Sequence, residues 1–139
     1  MLNPSYNYME FIAELFPEHN DKGMKNLTFQ VTDDCNLCCS YCYQQNKHHH
    51  IMTFDIAKKF IDYVFNNRTN ENSPFTDKKV KGYVLEFIGG EPLLAIDLID
   101  QISTYFEQKV EELPEGHLWK YFHMYNICSN GVLYFTPKV

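Results

Sequence analysis

The sequence predicts an α/β fold in which parallel strands alternate with helices. Three short apolar runs are separated by two amphipathic stretches, and each run ends in a cluster of small, polar or cysteine residues that favour turns. The chain has 139 residues, of which 45% are hydrophobic and 16% aromatic, enough apolar material for one compact core. This alternation implies right-handed helical crossovers, and folds of this kind bind ligands at the carboxyl ends of their strands.

The first predicted strand covers residues 27–31 (LTFQV) and is followed by turn-forming residues at 32–34. The cysteine-rich segment that comes next should therefore lie at the C-terminal end of this strand. A helix is expected after Thr53, a favourable N-cap residue, with the acidic Asp55 in its first turn. Its apolar positions recur at helical spacing: Phe54, Ala57, Phe60, Ile61, Val64 and Phe65.

A second strand is predicted at residues 83–88 (YVLEFI), and residues 89–90 (GG) end it. The second helix stops at residues 113–116 (LPEG). Its apolar positions are Ile96, Leu98, Ile99, Ile102, Tyr105, Phe106 and Val110. The third strand lies within residues 121–128 (YFHMYNIC) and is closed by residues 129–131 (SNG). We therefore expect all three strand-end loops at the same edge of the sheet.

Composition excludes several classes of function. Twelve basic against eighteen acidic residues give a net charge of −6, which offers no electrostatic footprint for nucleic acid or an anionic membrane. No basic segment leads into an apolar run, and no eighteen apolar residues occur without interruption. We expect a cytoplasmic protein that binds neither nucleic acid nor membranes. Five cysteines, four of them in one loop, suit metal or cluster binding in a reducing compartment better than a disulfide framework.

The cysteine loop, residues 33–44 (DDCNLCCSYCYQ), is the strongest chemical signal. Cys35, Cys39 and Cys42 have the spacing C-x3-C-x2-C, and Cys38 points elsewhere if its neighbour Cys39 points inward. Soft thiolates select zinc or iron-sulfur clusters, and three thiolates on a four-iron cluster leave one iron open to a small molecule. The alternatives are a zinc knuckle, with Cys38 or a histidine as fourth ligand, and buried cysteines that act as small apolar residues.

Three motifs at three strand ends resemble those of the radical S-adenosylmethionine (SAM) superfamily. The cysteine spacing, with Tyr41 before the last cysteine, resembles its cluster motif; residues 89–92 match its GGEP motif, and residues 129–131 look like its TNG-type motif. The combination of CNLxCxYCYQ, FIGGEPLL and SNG-VLYF looks most like the branch of peptide maturases and anaerobic sulfatase-maturating (SPASM-type) enzymes. The resemblance implies the N-terminal half of a partial (β/α)6 radical SAM barrel, with three parallel strands and crossover helices.

The resemblance also implies two cofactors. In the superfamily, three cysteines hold a [4Fe-4S] cluster, and the amino and carboxylate groups of SAM chelate the open iron. Carried over to this chain, Cys35, Cys39 and Cys42 become the ligands and Cys38 does not. The cofactor-binding residues implied in the same way are Tyr41, Gly89, Gly90, Glu91, Pro92, Ser129 and Asn130.

Each of these residues has an expected contact. The GGEP motif binds the amino group of SAM; Gly89 and Gly90 would permit close approach or a positive φ, and Glu91 would supply an acceptor and a charge. Tyr41 would pack against the adenine ring. The small loop at residues 129–131 would hydrogen-bond the cofactor or hold its own turn.

The reaction that the resemblance implies is the reductive cleavage of SAM. A reduced cluster passes one electron to SAM, which yields methionine and a 5'-deoxyadenosyl radical that abstracts a hydrogen atom from the substrate. The expected partners are a peptide or protein substrate, with thioether formation as one outcome, and a reductant protein of the flavodoxin or ferredoxin type. The alternatives are a non-catalytic partner that binds cluster or SAM, and a small zinc-binding module.

The domain organisation follows from the same resemblance. Residues 1–22 are expected to form an N-terminal helical extension, and residues 23–139 a radical SAM core truncated after the third strand.

Residues 48–50 (HHH) should be solvated, with no acidic or cysteine partner. Glu86 should point away from the helices, partnered or functional, and Cys128 should be a small buried residue.

Overall fold

A computed structural model describes residues 23–44 and 48–138 of the chain. Strands and helices alternate within these residues. They are β1 (Met24–Thr32), α1 (Phe54–Asn66), β2 (Gly82–Gly89), α2 (Ile96–Glu111) and β3 (His123–Ile127), with short 3-10 helices at Pro92–Ala95 and Leu118–Lys120. The predicted α/β alternation is confirmed, whereas the helix expected within residues 1–22 lies outside the described residues. None of the helices described is both long enough and apolar enough to cross a membrane.

The three strands form one parallel sheet in the order β1-β2-β3. β1 begins three positions before the predicted start, because Met24 to Asn26 pair with β2 although they are not apolar core positions. The register between β1 and β2 shifts between Gln30 and Thr32, directly before the cysteine loop. Since the strands are parallel, the loops that follow all three of them emerge at one edge of the sheet.

Both long helices cover the same face of the sheet, which forms the core. Side chains alternate between the two faces of a strand, so every second residue of β1 and β2 is buried. The largest buried side chains of this layer include Leu27, Phe29, Tyr83, Leu85 and Phe87 on the strands and Ile61, Ile102 and Phe106 on the helices. Thr53 precedes α1 in an extended conformation, but its side chain makes no capping hydrogen bond, so the predicted cap is not formed.

The opposite face of the sheet carries a row of polar side chains, and none of the helices described at residues 23–44 and 48–138 packs against it. Thr28 Oγ1 donates to Glu86 Oε2 at 2.9 Å, and Asn126 Nδ2 donates to Glu86 Oε1 at 3.3 Å. Glu86 therefore lies away from the helices, as predicted, and both of its carboxylate oxygens have a partner. Cys128 follows the last strand and is exposed, so the prediction of a buried residue is wrong. Among the residues that the structure describes, no helix covers this side of β3, whose side chains are mostly exposed.

Candidate functional site

The loop that follows β2 is bonded directly to the start of the cysteine loop. Gly90 N donates to Thr32 O at 3.0 Å, and Glu91 N donates to Asp34 O at 2.7 Å. Asp34 immediately precedes Cys35 in the sequence. The backbone of the GGEP segment thus fixes the point at which the cysteine loop leaves the sheet.

Gly89 and Gly90 are required by the close approach of these two backbones. A Cβ added at Gly89 would lie 2.2 Å from Thr32 O, and one at Gly90 would lie 2.3 Å from Asp34 O. Neither glycine has a positive φ, whereas Gly131 does. Sequence analysis suggested two reasons for the glycine pair, a close approach to another group and a positive φ. The structure supports the first reason, and the group that comes close is the backbone at the start of the cysteine loop.

Glu91 is fully buried, and its carboxylate joins the GGEP segment to the loop after β3. Oε1 accepts hydrogen bonds from Leu93 N at 3.0 Å and from Ser129 Oγ at 2.9 Å. Oε2 accepts from Asn130 N at 2.8 Å. Pro92 occupies the first turn of the 3-10 helix and is also buried. Sequence reasoning did not predict these bonds, and the role of Glu91 toward SAM stays a prediction.

Asn130 connects the loop after β3 to the cysteine loop. Its Oδ1 accepts from Val132 N at 3.1 Å, and its Nδ2 donates to Asn36 Oδ1 at 2.9 Å. The same Nδ2 lies 3.8 Å from Cys35 Sγ, within the range of a hydrogen bond to sulfur. All three predicted motifs therefore meet through direct contacts at one edge of the sheet.

The four thiols of the cysteine loop are free. Cys35 and Cys42 are half-buried, and Cys38 and Cys39 are exposed. Leu37 N also donates to Cys35 Sγ at 3.4 Å. Within residues 23–44 and 48–138, no group of three or more His, Cys, Asp or Glu side chains is arranged to hold a metal ion. A four-iron cluster differs from an ion because each thiolate binds its own iron, and three free thiols on one short loop are a donor set that fits such a cluster.

Tyr41 lies on the outside of the cysteine loop. Its side chain is 89% exposed, and the neighbouring Tyr43 is 79% exposed. An exposed ring beside three thiols is free to pack against a planar ligand. The contact between Tyr41 and adenine stays a prediction.

The histidine segment at residues 48–50 lies beside the start of the cysteine loop. Asp33 N donates to His50 O at 2.8 Å, and the imidazole of His49 is paired with the carboxylate of Asp34. The three histidines are exposed, as predicted, but the expectation that they have no acidic partner is wrong. The partners were missed because they lie about fifteen positions earlier in the chain.

Comparison with known families identifies the family to which this chain belongs. The family described as the 4Fe-4S single cluster domain matches residues 20–130 of this chain. The chain belongs to this family. The matched range contains the cysteine loop, the GGEP segment and residues 129–130.

Three relatives are similar to parts of the chain. An uncharacterized protein of Methanocaldococcus jannaschii is 43% identical over 83 residues, which are 60% of this chain and 25% of that protein. An S-adenosylmethionine-dependent nucleotide dehydratase of Selenomonas ruminantium is 25% identical over 81% of this chain and 32% of its own length. A protein named probable GTP 3',8-cyclase, from Methanococcus maripaludis, is 24% identical over 81% of this chain and 30% of its own length. The chain thus spans about a quarter to a third of these relatives.

Two solved structures have a similar fold. Native anSMEcpe with bound AdoMet and Cp18Cys peptide superposes with a TM-score of 0.52 at 23% identity, over 80% of this chain and 26% of that one. The same protein with Kp18Cys peptide gives 0.53 at 22% identity, over 79% and 26%. These comparisons confirm the predicted partial-barrel fold and the predicted resemblance to radical SAM proteins. The family description agrees with the predicted [4Fe-4S] cluster, and the SAM-dependent relative and the structures with bound AdoMet agree with the predicted SAM.

Proposed function

We propose that this chain is the cluster- and SAM-binding part of a radical SAM enzyme. Cys35, Cys39 and Cys42 hold the [4Fe-4S] cluster, and Cys38 is not a ligand. The residues that we propose for the SAM site are Tyr41, Gly89, Gly90, Glu91, Pro92, Ser129 and Asn130. The observation that supports this proposal most strongly is the meeting of the three motif loops at one sheet edge, through contacts of Glu91 and Asn130.

The residues of the chain have separable tasks in this proposal. The three cysteines bind the cluster, and the backbone at Gly89 and Gly90 keeps the GGEP segment against the base of the cysteine loop. Glu91 holds the loop after β3 in place. When bound, the cluster and SAM together supply one-electron reduction of the SAM sulfonium for radical hydrogen abstraction. The protein contributes orientation of the cofactor and exclusion of water.

The substrate we propose is a peptide or protein. We also propose that a flavodoxin- or ferredoxin-type protein supplies the electron and that the reaction takes place in the cytoplasm. The peptides bound to the two similar structures support this substrate class. A nucleotide is the second candidate, because the printed names of two relatives that match 81% of this chain refer to nucleotides. We also propose that residues 1–22 form an N-terminal helical extension and residues 23–139 the radical SAM core.

The cluster assignment is tested by anaerobic reconstitution of the 139-residue chain with iron and sulfide. We expect about four irons and four sulfides per chain, as a [4Fe-4S] cluster requires. Changing Cys35, Cys39 or Cys42 to alanine should abolish cluster uptake, while the matched control Cys38→Ala should retain it. One zinc without sulfide would contradict the proposal and favour a zinc module.

The enzymatic part needs a second measurement on the reconstituted protein. Addition of SAM and dithionite should produce 5'-deoxyadenosine, and its absence, with the cluster intact, would contradict SAM cleavage by this part of the enzyme on its own. A cysteine-containing peptide and GTP, added separately, should then distinguish the two substrate classes. The true class is expected to increase 5'-deoxyadenosine formation and to be altered itself, as seen by mass spectrometry.

A further inference from the structure

The side-chain amide of Asn130 is oriented toward the sulfur of Cys35. A backbone N–H can only donate, so the group that faces Val132 N at 3.1 Å must be the amide oxygen. The amide nitrogen then faces the cysteine loop. One of its two N–H groups is directed to Asn36 Oδ1 at 2.9 Å, and the other is available to Cys35 Sγ at 3.8 Å.

This donor is held in place by the protein itself. Asn130 N donates to Glu91 Oε2 at 2.8 Å, and the carboxylate of Glu91 is fully buried. Ser129 Oγ is fixed by the same carboxylate and accepts from Gly131 N at 2.9 Å. Gly131 has a φ of +80°, which allows the tight turn after Asn130. The amide is therefore positioned before any cofactor binds.

A hydrogen bond to a cluster ligand changes the reduction potential of the cluster. An N–H donor interacts more strongly with an acceptor that carries more negative charge. Reduction places an additional electron on the cluster and its thiolates, so a donor to sulfur stabilises the reduced form more than the oxidised form. Hydrogen bonds to sulfur and outer contacts of this kind are established determinants of cluster potential.

We propose that Asn130 is a positioning residue that acts through Cys35: its amide N–H donates to the Cys35 thiolate and raises the reduction potential of the bound cluster. This inference rests on the proposed function, because it requires Cys35 to be a cluster ligand. The Leu37 backbone N–H is a second donor to the same sulfur at 3.4 Å, and it remains when Asn130 is changed. Removal of Asn130 should therefore shift the potential without exposing a bare thiolate.

The test is a redox titration of the reconstituted 139-residue chain without SAM, monitored by electron paramagnetic resonance. Asn130→Ala removes the donor and should move the midpoint potential to a more negative value. Asn130→Asp keeps the shape and the acceptor for Val132 N, but it cannot donate and adds a negative charge, so the shift should be larger. The matched control is Asn126→Ala, which removes an exposed asparagine that is bonded to Glu86 and should leave the potential unchanged.

Iron and sulfide analysis separates failure of this inference from failure of the proposed function. If the unaltered chain takes up no cluster, the proposed function is wrong. If all variants carry the same cluster and both Asn130 variants keep the original potential, the inference is overturned while the cluster assignment stands. If both Asn130 variants lose the cluster and Asn126→Ala keeps it, Asn130 holds the loop rather than setting the potential, which also overturns the inference.

Discussion

The loops that follow β1 and β2 are neighbours at the sheet edge but differ in character. The GGEP segment is buried at residues 91–93, and the carboxylate of Glu91 has protein donors on both oxygens. The cysteine loop is exposed from residue 36 to residue 41, and its thiols are free. In the GGEP segment the protein itself satisfies the hydrogen-bonding groups of Glu91. In the cysteine loop the thiol sulfurs, which can bind iron, are not used in disulfides.

The difference indicates that the GGEP segment stabilises the fold around the site, whereas the cysteine loop supplies the groups that can bind a cofactor. A buried polar group that bonds several parts of the chain stabilises the fold whether or not a ligand is present. An exposed loop contributes little to stability and is well placed for binding. Substitutions in the GGEP segment should therefore destabilise the apoprotein, whereas substitutions in the cysteine loop should affect binding alone.

The largest expected effect is that of Glu91→Ala. The change leaves three protein donors without their acceptor, those of Leu93, Ser129 and Asn130. A hydrogen bond to a charged group contributes roughly 1.5 to 3 kcal/mol, and the lower value applies here because Ser129 and Asn130 are exposed and can bond to water instead. With three such bonds lost, we expect the free energy of unfolding to fall by about 4 kcal/mol. Urea denaturation of the apoprotein measures this change.

The control for this prediction is Glu111→Ala. Glu111 is an exposed residue at the end of α2, where a substitution should change the stability by less than about 0.5 kcal/mol. Equal losses for the two variants would show that the bonds of Glu91 do not support the fold. The contrast between the two loops would then be wrong.

A smaller effect is expected from Gly90→Ala. The new Cβ would lie 2.3 Å from Asp34 O and 2.6 Å from Asp33 O, which are backbone atoms that cannot turn away. We expect a loss of about 3 kcal/mol, the upper range for overpacking, together with reduced cluster uptake because the cysteine loop is displaced. Urea denaturation and iron analysis measure the two consequences.

Gly116→Ala is the matched glycine control. Gly116 has a φ of +79°, but no atom lies within 4 Å of an added Cβ. The cost should be that of the left-handed backbone alone, about 1 kcal/mol, with normal cluster uptake. If Gly116→Ala costs as much as Gly90→Ala, the close approach of the two loops is not what requires glycine at position 90.

The sequence predicted the order and type of the elements because hydrophobic spacing is a local signal. It missed the start of β1 because Lys25 and Asn26 are polar, and their place in the strand depends on pairing with Tyr83 and Val84. It also predicted a buried Cys128, which is exposed. The burial of Cys128 depends on which part of the protein packs against the face of the sheet opposite the helices, and the residues around Cys128 in the sequence do not indicate this.

The site was predictable as three motifs but not as a set of contacts. Each motif is contiguous, so its residues and its position after a strand can be found in the sequence. The bond from Ser129 to Glu91 spans 38 positions and the contact from Asn130 to Cys35 spans 95, so they depend on the packed fold. The buried bonding of Glu91 therefore became evident only in the structure.

The smallest effect on stability is expected from Tyr41→Ala. Its ring is 89% exposed, so the free energy of unfolding should change by less than about 0.5 kcal/mol. If the ring packs against adenine, its loss should weaken SAM binding about tenfold, equivalent to ~1.4 kcal/mol. Anaerobic calorimetry with the reconstituted protein measures this affinity.

Tyr43→Ala provides the matched control, because Tyr43 has the same ring, lies two positions away and is 79% exposed. Neither variant should lose stability, and only Tyr41→Ala should lose affinity for SAM. Equal affinities would remove Tyr41 from the SAM site without affecting the cluster assignment. A marked loss of stability in either variant would instead show that the cysteine loop supports the fold, as the GGEP segment does.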